Sequence, residues 1–421
     1  MTSNHTTSAL ERLDHVRLKA QDLTLYGRSP IRFQSRKEPS LEPVYKEIIE
    51  GTFIDRPNRF VCHVLVHGKA ETCHMPNPGR MREFLFPGVT LYLTPNRPGL
   101  RTAYRVVGVK KGEDIFYLDT TKANDVASYL VQHRKIPGWE NYFLAGREVT
   151  MGDSRFDLLL GDADTGETFP VEVKSCSLSG ERGAMFPDAP TERGEKHMAH
   201  LVTMAENGEH AGLLVLVHYR KAQWFLPNFH TDLPFGEWFR KGMDVLDWKA
   251  AGLSWTEDFH MPESVRLIGS SAKALDEEMG NAGDYMIVLH LEEDRDIPTG
   301  SLGTLHYRKG YYVYAGSAKR NLDQRMAHHR ALRKKKHWHM DYLRQECSFL
   351  AALPIRTKED LEHRLAGRLS DIADWSVKGF GCTDCHCDSH LFGFEENPLH
   401  LPQFVKIEED FEINRLDRYF R

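Results

Sequence analysis

Two short stretches carry side chains that could act on a phosphodiester: Arg155-Phe156-Asp157-Leu158-Leu159-Leu160 and Pro170-Val171-Glu172-Val173-Lys174. Between them lies Gly161-Asp162-Ala163-Asp164-Thr165-Gly166-Glu167, rich in the residues of tight hairpin turns, so Asp157 and Glu172 are expected on neighbouring strands. The period of two sends Val171 and Val173 to one face and Glu172 and Lys174 together to the other. Two carboxylates so placed can hold Mg²⁺ or Mn²⁺ through hard oxygen ligands. The lysine ammonium can orient a water or offset the charge developing on a phosphate. An exposed hairpin with a salt-bridged Glu-Lys face would show the same spacing.

These side chains need elements to hold them. Residues 44–110 contain short alternating apolar runs such as Phe60-Val61-Cys62-His63-Val64-Leu65-Val66, punctuated by Asn77-Pro78-Gly79 and Asn96-Arg97-Pro98-Gly99, the layout of a small antiparallel barrel. In residues 111–260, helical patterns over 124–133 and 197–206 alternate with strands. The nearly all-apolar Ala211-Gly212-Leu213-Leu214-Val215-Leu216-Val217 is expected as a buried central strand. Small and polar residues over 261–282 predict a linker. Beyond it, strands are predicted over 284–291 and 310–316, a helix over 322–330 and a helix-like stretch over 358–369. Residues 1–43 read as a polar extension with one helix over 9–20, and residues 397–421 as a tail.

A chain of 421 residues with 41% hydrophobic and 27% charged residues should form two or three cores. Its apolar runs fall short of the roughly 20 residues of a membrane span, and the first ten residues lack a secretory layout, so a cytoplasmic location without membrane partners is expected. Seven cysteines, an odd number with four isolated, argue against a disulfide framework. The net charge of −5 hides a basic block between Tyr307 and Arg344, including Arg320, Lys334, Lys335 and Lys336 against only Asp323 and Asp341. Interleaved His328, His329, His337, Trp338 and His339 add stacking surfaces, which favours nucleic acid over a merely solvated helix face. Cys382, Cys385, Cys387 and His390 supply the four ligands of a closed zinc site; the other reading is reduced thiols in a loop.

Taken with Cys73-His74-Met75-Pro76-Asn77-Pro78-Gly79-Arg80-Met81, Phe186-Pro187-Asp188-Ala189, Thr191-Glu192-Arg193-Gly194 and Lys196-His197, the acidic pair resembles the sugar fermentation stimulation protein family over about residues 45–255. That resemblance implies an OB-type barrel joined to a PD-(D/E)XK nuclease core, with Phe156 where the superfamily name has a proline that does no chemistry. It implies cleavage of DNA or RNA by Asp157, Glu172 and Lys174, metal at the two acids, and assistance from Glu148 and residues 192–197. Asn77, Arg80, Arg193, Lys196 and His197 are then expected to touch nucleic acid. It equally implies a non-cleaving DNA-binding regulator of sugar metabolism.

Further on, Gly283-Asp284-Tyr285, Tyr314-Ala315-Gly316-Ser317 and Leu322-Asp323-Gln324-Arg325 resemble the GIY-YIG endonuclease family over about residues 283–394. Its pattern maps onto Tyr285, Tyr314 and Arg325 as catalytic groups and Glu362 as the metal-binding acid. Asp284 and Ala315 stand where branched apolar residues are usual, which bears on packing. The expectation is an α+β multidomain protein: an OB-like β-barrel, a PD-(D/E)XK-type α/β core and, over residues 283–396, a small GIY-YIG-type α/β domain.

Overall fold

The structure, a computed structural model, describes residues 42–382 and 385–421. The helix predicted over 9–20 lies outside them. The barrel strands are β1 (Ile49–Asn58), β2 (Val61–Val66), β3 (Lys69–His74), β4 (Thr90–Pro95), β5 (Tyr104–Lys111) and β6 (Asp114–Tyr117), in the order β3-β2-β1-β4-β5-β6. Alternation builds it: Cys62, Val64 and Val66 of β2 point inward. A parallel pairing of β3 with β5, Cys73 opposite Tyr104, closes five strands into the OB-like barrel. The barrel sheet runs past residue 110, because the chain turns at Gly112 (φ 61) and returns as β6, burying Phe116.

The second unit comprises α1 (Ala123–Gln132), β7 (Tyr142–Met151), β8 (Ser154–Asp162), β9 (Thr168–Cys176), β10 (Gly183–Phe186), α2 (Glu192–Glu206), β11 (Gly212–Val217), β12 (Trp224–Pro227), α3 (Leu233–Gly242), β13 (Asp247–Gly252), β14 (Arg266–Ile268) and α4 (Ala272–Glu278). Its main sheet has the order β14-β13-β11-β9-β8-β7, with β7 to β9 an antiparallel meander and β11 parallel to both β9 and β13. Every residue of β11 is buried, as its apolar run predicts. Helix α2 begins at Glu192, earlier than the predicted 197, because Thr191 Oγ1 accepts the Gly194 N–H at 3.0 Å and caps it.

Residues 261–282 are not a linker. Ile268 pairs with Ala250 to add β14 to the sheet, and Ala274 and Leu275 of α4 are fully buried. The polar residues that suggested flexibility include a helix cap, Ser271 Oγ accepting from Ala274 N at 3.2 Å.

The third unit comprises β15 (Gly283–Leu291), β16 (Arg295–Pro298), β17 (Thr304–Tyr307), β18 (Gly310–Ala318), α5 (Leu322–Arg330), α6 (His339–Glu346), β19 (Ser348–Arg356), α7 (Glu362–Ser370), β20 (Trp375–Ser376), β21 (Leu391–Phe394) and α8 (Pro402–Glu412). Its antiparallel sheet has the order β19-β15-β18-β21-β20. Strand β15 is buried on both faces: Tyr285, Ile287 and Leu289 pack with Leu322 and Leu343, and Met286 and Val288 with Leu365 and Phe404.

The expected C-terminal tail is structural as well. Phe404, Ile407 and Phe411 of α8 recur at helical spacing on the third unit's core, while Ile413 and Leu416 enter the core of the first two. Trp224 Nε1 donates to Asp417 Oδ1 at 2.6 Å and stacks on Phe420. Among the described residues no helix is long and apolar enough to cross a membrane.

Candidate active sites

Asp157 lies on β8, and Glu172 and Lys174 lie on β9. The register pairs Leu158 with Val171, so Asp157 and Glu172 are the next residues along each strand. Ladder pairing stops there because the Asp157 side chain takes over a ladder donor: its Oδ2 accepts the Val173 N–H at 2.8 Å. Its Oδ1 accepts from Asn124 Nδ2 of α1 at 2.9 Å, and Asn124 also reaches Glu148 Oε1 at 2.7 Å. Glu148, in a left-handed conformation (φ 55) on β7, takes Arg155 on its other oxygen at 2.8 Å.

Glu172 is held from one side only. Its Oε1 accepts from Lys174 Nζ at 2.6 Å and from His197 Nδ1 at 2.7 Å, while its Oε2 is buried with no hydrogen-bond partner. The carboxylate cannot donate, so His197 carries its proton on Nδ1. Burial raises the Glu172 pKa, but the Lys174 charge and the two hydrogen bonds outweigh it and hold the group below the ordinary carboxylate range. Asp157 moves the other way, raised by burial and then by the Glu172 charge. Two neighbouring acids whose affinities for a proton are pushed apart, one with a bare oxygen, form a donor set suited to a hard cation.

A second cluster lies on the third unit. Tyr285 of β15 pairs across the ladder with Gly316 of β18, and Tyr314 lies two residues before that glycine, with the tyrosine ring centroids 6.2 Å apart. A Cβ on Gly316 would stand 2.7 Å from Tyr285 Cζ and 2.8 Å from Tyr314 Cε1, so this position admits both rings only as glycine. The fully buried Tyr285 shares its hydroxyl with His329 Nε2 at 2.9 Å. Burial, then the neighbouring Tyr314, push its pKa well above 10, with Arg325 of α5 opposing. The Arg325 guanidinium rests 4.2 Å from the Trp338 ring centroid.

Glu362 opens α7. Its Oε1 faces His390 Nδ1 at 3.2 Å and its Oε2 accepts from Ser317 Oγ. Burial raises its pKa, but these two contacts more than compensate and lower it. Asp284 explains its own departure from the family pattern: its Oδ2 accepts the Leu361 N–H at 3.2 Å and seats the start of the helix that carries Glu362.

Several residues expected to touch nucleic acid are committed inside the protein instead. His197 is buried against Glu172. Asn77 is buried and accepts the Gly79 N–H at 2.9 Å, stapling its own loop. Arg80 donates to Asp188 O at 2.9 Å and Thr231 Oγ1 at 2.7 Å, which pins that loop to the second unit. The Lys334 side chain is 5% exposed and pairs with Asp341 Oδ1 at 2.7 Å. In each case a buried or half-buried polar group has found an internal partner. Arg193, Lys196, Arg320, Lys335 and Lys336 remain exposed, the first two on the helix that brings in His197.

Two positioning residues escaped the sequence reading: Asn124 and His363. His329, expected as a stacking surface of the basic block, is instead buried four residues after Arg325 on one helix, with its Nε2 on the Tyr285 hydroxyl. The predicted zinc set is also corrected. Among the described residues, the His/Cys/Asp/Glu group whose ligand atoms converge is His363, Cys385, Cys387 and His390, whereas Cys382 directs its thiol to Phe380 O at 3.4 Å.

Comparison with known proteins agrees with this layout. The model of the SfsA N-terminal OB domain matches residues 54–117, that of the sugar fermentation stimulation protein RE domain residues 121–249, and that of a domain of unknown function, DUF123, residues 284–412. A sugar fermentation stimulation protein homolog of Clostridium botulinum (strain Loch Maree / Type A3) is 38% identical over 208 residues, covering 48% of this chain and 90% of that protein. One from Alkaliphilus oremlandii is 36% identical over 214 residues, covering 49% and 91%. The solved structure of Pyrococcus furiosus SfsA in complex with Ca²⁺ is 28% identical, with a TM-score of 0.49 over 55% of this chain and 98% of that one. With its barrel and α/β core both matched and its relatives covered almost from end to end, the chain belongs to the sugar fermentation stimulation protein family, extended by a C-terminal GIY-YIG-like domain.

Proposed function

We propose that the protein is a metal-dependent nuclease that hydrolyses DNA or RNA phosphodiester bonds, with Asp157, Glu172 and Lys174 as its first centre. The observation that carries this reading is the buried, unpartnered Oε2 of Glu172 beside a lysine ammonium. An orphaned buried acceptor costs about 1–3 kcal/mol, more when charged, and a cation ligated there removes the cost. Mg²⁺ or Mn²⁺ at Asp157 and Glu172, and at Glu362 in the second centre, would polarise the phosphate and acidify a bound water.

The chain's own groups do the rest. Lys174 brings a positive charge to the pentacoordinate phosphate, while His197 and Asn124 keep the two carboxylates from rotating. In the second centre Arg325 offers its planar fork to the phosphate. Tyr285 is sealed from solvent and fixes His329, so a water-facing role falls to Tyr314, the more exposed tyrosine at 9%. The exposed Arg320, Lys335 and Lys336, with Arg193 and Lys196, supply charge along the strand's path.

The test is cleavage of end-labelled single-stranded DNA, duplex DNA and RNA with Mg²⁺, Mn²⁺ or chelator, comparing wild type with Lys174→Ala and Arg325→Ala. Chelator-sensitive cutting lost in one variant assigns the working centre. Salt-sensitive binding without cutting on all three substrates would overturn the nuclease and support a DNA-binding regulator of sugar metabolism.

A further inference from the structure

The loop between Phe380 and Ser389 has almost nothing to hold it by burial: none of its described residues from 381 to 388 is buried. Yet two of its thiols meet two imidazoles from other parts of the third unit. Cys385 Sγ lies 3.3 Å from His390 Nε2, just before β21, and Cys387 Sγ lies 3.4 Å from His363 Nδ1, in the first turn of α7. All four ligand atoms fall within 4.8 Å of one another.

Zinc bonds of about 2.3 Å to sulfur and 2.0–2.1 Å to nitrogen make the S···N edge of a tetrahedron about 3.5 Å. Both observed edges are close to that length. The ring orientation of His390 points the same way. Its Nδ1 faces Glu362 Oε1 at 3.2 Å and Ala315 O at 3.3 Å, both acceptors, so the proton sits on Nδ1. In the neutral ring Nε2 is then a bare lone pair aimed at Cys385 Sγ.

We propose that His363, Cys385, Cys387 and His390 form a structural zinc site that closes the 379–390 loop onto the start of α7. The donor set, two thiolates and two imidazoles, selects zinc over the hard cations suited to the carboxylate centres. Four protein ligands leave no open position, so the role is structural. The site also has a consequence for Glu362, which rests on the nuclease reading. Zinc on His390 Nε2 locks the tautomer whose Nδ1–H faces Glu362, and zinc on His363 anchors the adjacent helix residue. The metal thus holds the candidate carboxylate from both sides.

The test is the zinc content and chelator resistance of the purified full-length chain, with Co²⁺ substitution to report thiolate coordination by its charge-transfer absorption. Wild type and Cys382→Ser should hold about one zinc per chain, and His363→Ala and Cys387→Ser should bind at least tenfold more weakly. Because a zinc-free variant could misfold, His363→Cys supplies a replacement thiolate and should restore binding. A metal-free, chelator-insensitive wild type would overturn the site, leaving two thiol–imidazole hydrogen bonds. So would loss of zinc in Cys382→Ser with retention in His363→Ala. Zinc content is read without cleavage, so a zinc-loaded chain that cuts nothing would sink the nuclease reading alone.

Discussion

The two candidate centres are built on opposite plans. The first is local: Asp157, Glu172 and Lys174 come from one hairpin, and the distant groups, Asn124 and His197, only hold the acids in place. The second is assembled: Tyr285, Tyr314, Arg325 and Glu362 come from four separate elements, and the packing of two strands around Gly316 decides whether they meet. A hairpin site concentrates its vulnerability in the chemistry-bearing side chains themselves. An assembled site spreads it into residues that carry no chemistry.

The sharpest break of that contrast is direct removal of charge at the hairpin. Lys174→Ala or Glu172→Gln should lower cleavage at the first centre by about 10²–10⁴-fold in single-turnover assays, with Arg325→Ala leaving that residual activity untouched. Equal losses at both centres would mean that the two are one machine. Next in size is Gly316→Ala, whose Cβ must displace two tyrosine rings. A shift of about 1 Å is enough to cost about 10²-fold at the second centre, while the first continues at wild-type rate.

Asn124→Ala should have a smaller effect, weakening Mn²⁺ binding at the first centre by about 10–100-fold in a titration and leaving folding intact. Unchanged affinity would show that the Val173 N–H alone orients Asp157.

The last prediction concerns stability, away from both centres. His218 is fully buried, its Nδ1 accepting from Trp255 Nε1 at 3.1 Å and its Nε2 lying 2.9 Å from Ser175 Oγ. Burial lowers its pKa from 6.5 to about 3. The unfolded chain therefore binds a proton that the folded chain refuses, and stability is lost as pH falls from about 6.5 toward about 3, by up to about 1.4 kcal/mol per pH unit. His218→Gln should flatten denaturant-derived stability against pH by about one proton between pH 6 and 4. An unchanged slope would place the proton uptake elsewhere.

Much of this architecture was legible because its signals are short-range. The alternation in β2, the apolar run of β11 and the glycine-rich turn between β8 and β9 each predict an element from neighbouring residues alone. Other readings failed where local polarity was mistaken for exposure. Gly269, Ser270 and Ser271 suggested a linker, but Ile268, Ala274 and Leu275 bury the segment. Asn77, Arg80, His197 and Lys334 carry the right chemistry for phosphate, yet each is spent on an internal partner that no local pattern reveals.

The sequence by itself therefore determined which residues could do chemistry and on which strands the hairpin acids stand, because strand alternation and turn composition are properties of adjacent residues. Only the tertiary structure decided that His197 grips Glu172, that Asp284 seats the helix of Glu362, and that His363 rather than Cys382 completes the cysteine cluster. Those contacts join side chains 24 to 77 positions apart. Their meeting depends on how sheets and helices pack, which no local pattern encodes.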